Sequence, residues 1–304
     1  MTQDRETKIQ HFADRPPLAY ADYGDPEGTP VLAFHGTPGS RFKFRSADAP
    51  AREMGLRILA LDRRGYGRSP LHNARPGLAD WADDVRAFAD AIGVARFSVT
   101  GISGGGPHAA ACAALLGNRV RALALVSPVG PFDNPAVRDA IGPFHRMCFL
   151  HLPGAAGLSW PLWQAMRLGL HLLPDATLRL AFLRGPTADQ TILATGEIQA
   201  QLAQTFREGL RQGVAGPIGD IRQFGGPWDF SLAAIAARSQ VWLGSKDGNV
   251  PVAAARDLAE RIPGCTLRLI PDAGHLWICE NFIEVLRWIS AHTAPKAQPS
   301  AFSS

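Results

Sequence analysis

The sequence has few of the features that mark a secreted, membrane-spanning or nucleic-acid-binding protein. Its four cysteines form no CxxC or other paired spacing, which argues against a disulfide framework or a zinc site. The N-terminal segment is polar, and no apolar run approaches the ~20 residues that span a bilayer. The net charge of +4 is small and includes no basic run. We therefore expect a cytoplasmic protein with no metal, cofactor, nucleic-acid partner or membrane span, and the oligomeric state stays open.

What the sequence does contain is the composition of a compact globular domain. Hydrophobic residues make up 46% of the 304 residues, enough for a sizeable core. Short apolar segments alternate with helix-like stretches, a pattern typical of an α/β protein with a parallel sheet. The predicted strands are 31–34, 57–61, 97–101, 122–126, 240–243 and 266–270. The predicted helices around them are 81–92, 104–116, 251–262 and 280–292.

Between residues 131 and 230 this alternation stops. The segment indicates helices broken by glycine and proline and contains no predicted strand; the helices are 145–152, 159–173, 176–183 and 187–211. We interpret 131–230 as a helical lid or cap inserted into a core formed by 1–130 and 231–293. Residues 294–304 are expected to form a disordered tail. Movement of the lid could control substrate entry.

The segment Gly101-Ile102-Ser103-Gly104-Gly105 carries the chemistry. A serine hydroxyl is a weak nucleophile unless a neighbouring base removes its proton. A predicted strand ends just before Ser103 and an alanine-rich helix follows, so the serine would sit on a sharp strand-to-helix turn. The sequence therefore predicts Ser103 as a nucleophile.

Four segments together resemble the α/β-hydrolase superfamily. They are His35-Gly36-Thr37-Pro38-Gly39, the run from Asp62 to Ser69, the serine pentapeptide, and Asp272-Ala273-Gly274-His275. The resemblance implies an eight-stranded, mostly parallel sheet flanked by helices. It also implies a triad in the chain order nucleophile, acid, histidine.

Nine histidines are candidates for the base. Only His275 lies in the loop directly after the last predicted core strand, from where it could reach Ser103. His35 is the main competitor, but its place in the turn after an early strand favours a role in ordering the oxyanion loop. His108 lies in the helix after Ser103 and is expected to pack there.

The resemblance places the acid at Asp247, after the strand 240–243. A carboxylate here would fix the tautomer of His275 and stabilise its protonated form. Asp133 is the second choice, because some members of the family use the corresponding loop. Asp272 is too close to His275 in sequence to orient the ring and is expected to form a turn.

The resemblance also implies two backbone N–H donors for an oxyanion, those of Gly104 and Thr37. The run from Asp62 to Ser69 is expected to be structural, with Tyr66 near the pocket. In the lid, Phe144, Trp160 and Trp163 are predicted to form an apolar pocket roof. The alternative for each is simple packing of the lid onto the core.

Three functions remain open. Serine at the turn argues against family members that use aspartate there, the epoxide hydrolases and haloalkane dehalogenases. Thr37 and Gly104 depart from the pattern of proline iminopeptidases, and Gly104 from that of the peroxidase-like members. The leading hypothesis is hydrolysis of an ester-type bond of a small, largely apolar substrate through an acyl-enzyme. The alternatives are carbon–carbon hydrolysis of a diketone-type substrate and a non-catalytic receptor.

Overall fold

The computed structural model describes residues 5–73, 76–183 and 185–293. The predicted tail, 294–304, lies outside the described residues. A single sheet of eight strands forms the centre of the described part. The strands are β1 (Lys8–Gln10), β2 (Leu18–Gly24), β3 (Thr29–Phe34), β4 (Leu56–Leu61), β5 (Phe97–Ile102), β6 (Val120–Val126), β7 (Arg238–Gly244) and β8 (Thr266–Ile270).

The order of strands across the sheet is β1-β2-β4-β3-β5-β6-β7-β8. Strand β2 pairs antiparallel with both of its neighbours, and all other pairs are parallel. This arrangement confirms the predicted α/β class and the eight-stranded, mostly parallel sheet. Strands β3, β5 and β6 are adjacent, so the loops after them meet at one edge of the sheet.

Helices cover both faces of the sheet. Those of the core are α1 (Asp48–Glu53), α2 (Leu78–Ala91), α3 (Gly105–Leu115), α11 (Val252–Arg261) and α12 (Ile278–Thr293). Trp81, Val85 and Phe88 of α2 recur at helical spacing and bury one stripe in the core on one face. On the opposite face, Val285 and Ile289 of α12 are fully buried. Burial of these stripes is the main force that holds the helices to the sheet.

A helical insert, residues 135–225, connects β6 to β7. Its α-helices are α4 (Pro135–Ala140), α5 (Pro143–Arg146), α6 (Trp160–Leu172), α7 (Pro174–Ala181), α8 (Thr187–Leu193), α9 (Gly196–Gly209) and α10 (Ala215–Gly225). A third apolar cluster, including Leu170, Leu178 and Leu210, lies within it. The described residues of the insert contain no strand, as the sequence predicts. The stretch 187–211 forms two helices rather than one, and neither α4 nor α10 was predicted from the sequence. None of the described helices has the length and apolarity needed to cross a membrane.

Candidate active site

Ser103 occupies a sharp turn between β5 and α3. Its φ is +53°, in the left-handed region that non-glycine residues rarely adopt. The Ser103 N–H donates to the carbonyl oxygen of Val126 in the neighbouring strand at 2.8 Å, which anchors the turn to the sheet. A Cβ atom at Gly101 would overlap the carbonyl oxygen of Gly105, so the first glycine of the motif is required by the close approach of helix to strand.

The turn opens into a cavity of about 180 Å³ between the sheet edge and the helical insert. Ser103, Gly104, Thr37 and His275 all line it, so the structure brings together these four of the predicted site residues. Most of the remaining lining is apolar: Val129, Phe149, Phe182, Leu202, Phe206, Ile221, Phe224, Val250, Leu276 and Ile278.

Of the three predicted roof residues, Phe144 and Trp163 line this cavity. The prediction for Trp160 is wrong. Trp160 is the first residue of α6, is 51% exposed and does not line the cavity. Trp163 lies about one turn further along α6, deeper in the insert, and is half-buried.

A hydrogen bond of 2.8 Å joins His275 Nδ1 to Asp247 Oδ2, so Asp247 reaches the site through His275. The other carboxylate oxygen of Asp247 accepts the backbone N–H groups of Asn249 and Val250 at 2.9 and 3.0 Å. These contacts fix the carboxylate, whose side chain is 0% exposed. An ionised carboxylate can only accept, so in the neutral ring Nδ1 carries the proton and Nε2 keeps its lone pair. Among the described residues, no hydrogen bond joins the ring to Ser103 Oγ.

The two groups shift each other's pKa in the directions that a charge pair requires. Burial alone would raise the pKa of Asp247, but the charge of His275 and the hydrogen bonds that Asp247 accepts hold it below its ordinary value. Burial alone would lower the pKa of His275, but the negative charge of Asp247 raises it above its ordinary value. The imidazolium form is therefore stabilised here despite burial.

The competing residues lie elsewhere. Asp133 forms an ion pair with Arg261 at 2.7 Å on the surface, away from His275. Asp272 has a φ of +56° and an 81% exposed side chain, as expected of a turn residue. His35 Nε2 accepts the N–H of Arg63 at 3.0 Å and Nδ1 contacts the carbonyl oxygen of Gly36 at 2.8 Å, so both ring nitrogens are engaged within the loop.

Thr37 and Gly104 line the cavity from two different loops. Within the described ranges, neither N–H group has a hydrogen-bond acceptor. The side chain of Thr37 occupies the space where Gly104 would carry a Cβ atom, since an added Cβ would overlap Thr37 Oγ1. Glycine is therefore required beside Ser103 by the side chain on the opposite loop.

The Thr37 loop is held by a buried cluster that the sequence did not reveal. The carboxylate of Asp220, in α10 of the insert, accepts two hydrogen bonds from the Arg63 guanidinium at 2.7 and 2.8 Å. It accepts a third from the Tyr66 hydroxyl at 2.5 Å. The Thr37 hydroxyl also donates to Asp220. Tyr66 is fully buried in this cluster and does not line the cavity, which corrects its predicted place near the pocket. His108 is buried beside Arg63, at 3.3 Å from its guanidinium, in the helix where it was expected to pack.

A second carboxylate of the insert contacts the histidine loop. Asp189, in α8, is 1% exposed and accepts the backbone N–H groups of His275 and Leu276 at 2.9 and 2.7 Å. These N–H groups begin a short 3₁₀ helix (His275–Trp277) and would otherwise lack acceptors. The sequence signal, an aspartate in the first turn of a predicted helix, is too common to identify such a contact.

Comparisons with known proteins identify the family to which this chain belongs. A family model described as alpha/beta hydrolase fold matches residues 29–282. The chain belongs to the α/β-hydrolase family. It is 29% identical over 263 residues to a protein named putative carbamate hydrolase RutD from Variovorax paradoxus, covering 85% of this chain and 89% of that one. It is also 23% identical over 261 residues to 2-hydroxymuconate semialdehyde hydrolase from Pseudomonas putida, covering 82% and 81%.

Solved structures of the family share this fold. An alpha/beta hydrolase fold protein from Nakamurella multipartita superposes with a TM-score of 0.64 at 26% identity, covering 94% of this chain and 98% of that one. An enol-lactonase from Burkholderia xenovorans superposes with a TM-score of 0.67 at 18% identity, covering 94% and 99%. The second likeness concerns the fold alone.

Proposed function

We propose that this α/β-hydrolase is a serine hydrolase that cleaves an ester-type bond of a small, largely apolar substrate through an acyl-enzyme. Ser103 is the nucleophile, His275 the general base and Asp247 the carboxylate that orients it. The observation that carries the proposal is the 2.8 Å hydrogen bond between Asp247 and His275 at the wall of the cavity that Ser103 also lines. The apolar lining supports an uncharged body for the substrate.

In the acylation step, Ser103 Oγ attacks the carbonyl carbon while His275 Nε2 takes the hydroxyl proton. The carbonyl oxygen becomes an oxyanion, which accepts the N–H groups of Gly104 and Thr37. Collapse of this intermediate breaks the bond to the leaving alcohol, which receives the proton from His275. Asp247 stays ionised throughout and stabilises the imidazolium.

Deacylation repeats these steps with water as the nucleophile. His275 takes a proton from water, the hydroxide oxygen bonds to the acyl carbon, and a second oxyanion forms in the same place. Its collapse releases the carboxylic acid and returns the proton to Ser103 Oγ. In this proposal the helical insert acts as a lid, with Phe144 and Trp163 forming part of the substrate roof.

The first experiment is covalent labelling with a fluorophosphonate, read by intact mass. We expect one adduct on the wild-type protein and none on Ser103→Ala. Turnover of p-nitrophenyl esters should fall by about 10³-fold or more in Ser103→Ala, His275→Ala and Asp247→Asn. Asp133→Asn is the matched control and should retain activity. Absence of an adduct on the folded wild-type protein would falsify the serine-hydrolase proposal and leave the receptor alternative.

Carbon–carbon hydrolysis of a diketone-type substrate is the second candidate. Its support is the similarity, over most of both chains, to the protein named 2-hydroxymuconate semialdehyde hydrolase. The same nucleophile, base and oxyanion donors could serve it. Turnover of a panel of p-nitrophenyl esters and of vinylogous diketones distinguishes ester hydrolysis from carbon–carbon hydrolysis. Turnover of the diketones alone would favour carbon–carbon hydrolysis.

A further inference from the structure

Lys43 lines the cavity without a role in the proposed chemistry. It lies in a short 3₁₀ helix (Arg41–Ala47), is half-buried, and shares the cavity wall with Ser103 and His275. Its Nζ donates to Cys279 Sγ at 3.0 Å. A thiol sulfur is a weak acceptor that carries no compensating charge when protonated.

The two arginines of the same 3₁₀ helix differ from Lys43 because each has a carboxylate partner. Arg41 pairs with Asp62 at 2.6 Å, and Arg45 pairs with Glu6 at 2.6 Å. Lys43 forms no salt bridge with any residue of the described ranges. A half-buried ammonium group beside an apolar cavity is costly unless an anion or water compensates it.

The rest of the cavity wall offers no internal counterion. The lining side chains include no aspartate or glutamate, and Lys43 is their only lysine or arginine, counting residues within the described ranges. Burial lowers the pKa of His145 to about 4, so this histidine is neutral near pH 7. His275 already has its own carboxylate, Asp247. The indole N–H of Trp163, also in the wall, has no acceptor among the described residues and adds a second donor.

We propose that Lys43 binds a carboxylate of the substrate, so that the preferred substrate is a small ester-type compound with one carboxylate and an apolar body. A carboxylate matches the single charge of Lys43. A phosphate dianion would leave an excess charge in an apolar wall, which is unfavourable. The identity of the cleaved bond rests on the proposed function, whereas recognition of the anion does not.

The position of Lys43 also fits productive binding near the nucleophile. The charge of Lys43 acts on His275, where it opposes protonation and works against the pKa increase due to Asp247. Because Lys43, Ser103 and His275 line the same cavity, one small ligand can contact the lysine and the reacting groups together. A cavity of about 180 Å³ suits a ligand of a few carbon atoms between the two.

A pair of esters with the same acyl chain tests the proposal by kinetics. Mono-p-nitrophenyl glutarate carries a carboxylate at the end of its chain, whereas p-nitrophenyl pentanoate ends in a methyl group. The measured quantity is the ratio of kcat/KM for the anionic ester to kcat/KM for the neutral ester. We expect Lys43→Met to lower this ratio by about ten- to a hundredfold, because a hydrogen bond to a charged group is lost. Lys43→Arg keeps the positive charge and should keep most of the preference for the anionic ester.

The matched control is Lys8→Met, which removes the same charge at strand β1, outside the cavity. It should leave the ratio unchanged. An unchanged ratio in Lys43→Met would refute the proposal. If this variant does not fold, Lys43→Gln gives the same comparison with a polar replacement.

A binding experiment separates this proposal from the proposed function. In a Ser103→Ala background, calorimetry compares monomethyl glutarate with dimethyl glutarate. We expect the monoanion to bind more tightly, and Lys43→Met to weaken its binding by about tenfold or more while affecting the diester less. Equal binding of both ligands, or no binding of the monoanion, contradicts the carboxylate site. Failure of fluorophosphonate labelling contradicts only the serine-hydrolase proposal, since this binding measurement needs no catalysis.

Discussion

Replacement of Asp220 by asparagine tests whether the insert holds the Thr37 loop. Asp220 is 3% exposed and accepts two N–H groups of Arg63 at 2.7 and 2.8 Å, as well as the Tyr66 hydroxyl. Asparagine has nearly the same shape but removes the charge that compensates the buried guanidinium. Its NH₂ group would also face donors instead of accepting from them.

Loss of one partner of a buried ion pair costs about 3–5 kcal/mol, because the other charge stays buried without compensation. This is a large fraction of the 5–15 kcal/mol that typically separates folded from unfolded states. For a chain of 304 residues the melting temperature should fall by about 5–8 °C. Burial alone would raise the pKa of Asp220, but Arg63 holds it below its ordinary value. The stabilisation is therefore present at neutral pH and is lost as the pH falls below about 4 through the folded-state pKa.

The assay is thermal and urea denaturation at neutral pH. Asp133→Asn is the control, because it removes an exposed carboxylate from its pair with Arg261 and should cost at most about 1 kcal/mol. The double variant Arg63→Met, Asp220→Leu should recover much of the stability, since an apolar pair can replace a buried ion pair. It should not recover ester turnover, because Thr37 then lacks its acceptor. A cost below about 1 kcal/mol for Asp220→Asn would refute the reasoning.

Three further predictions concern the reacting groups. Gly104→Ala places a methyl group against Thr37 Oγ1 and should lower kcat by about 10²–10³-fold, as loss of one oxyanion donor does, with partial recovery when Thr37→Ala is added. Asp247 is the main cause that raises the pKa of His275, so the acid limb of kcat/KM against pH should lie above pH 6.5 in the wild type. In Asp247→Asn this limb should move to lower pH. A wild-type limb below pH 6.5 would contradict the prediction. Asp189→Asn should lower kcat by about ten- to a hundredfold with little change in KM, by releasing the backbone of His275, and an unchanged kcat would show that its contact is not needed.

The parts of the fold predicted from sequence are those with a local periodic signal. The central parallel strands and the helices that cover them have apolar residues at regular spacing, so their positions follow from burial alone. Strands β1 and β2 have no such signal. β1 has three residues at the sheet edge, and β2 buries Asp22, which breaks its apolar pattern and pairs with Arg57 at 2.9 Å.

The residues of the candidate site likewise differ in whether the sequence could predict them. Ser103 follows from a motif that needs only local geometry, and the resemblance supplied His275 and Asp247, which the structure joins by a hydrogen bond. Asp220 contacts a residue 157 positions away, and a single aspartate in a helix is usually a solvated surface residue. The error at Trp160 has a related cause, because a large apolar residue at a helix end does not show whether that end of the helix reaches the pocket.

Two carboxylates of the insert hold two loops of the candidate active site in place. Asp220 holds the loop of Thr37, and Asp189 holds the loop of His275, so the proposed oxyanion donor and the proposed base both depend on the insert for their position. Moving the whole insert away from the sheet would break both contacts at once, including the buried ion pair between Arg63 and Asp220. We therefore expect the substrate to enter through smaller movements of the wall around Phe144, which would break neither carboxylate contact.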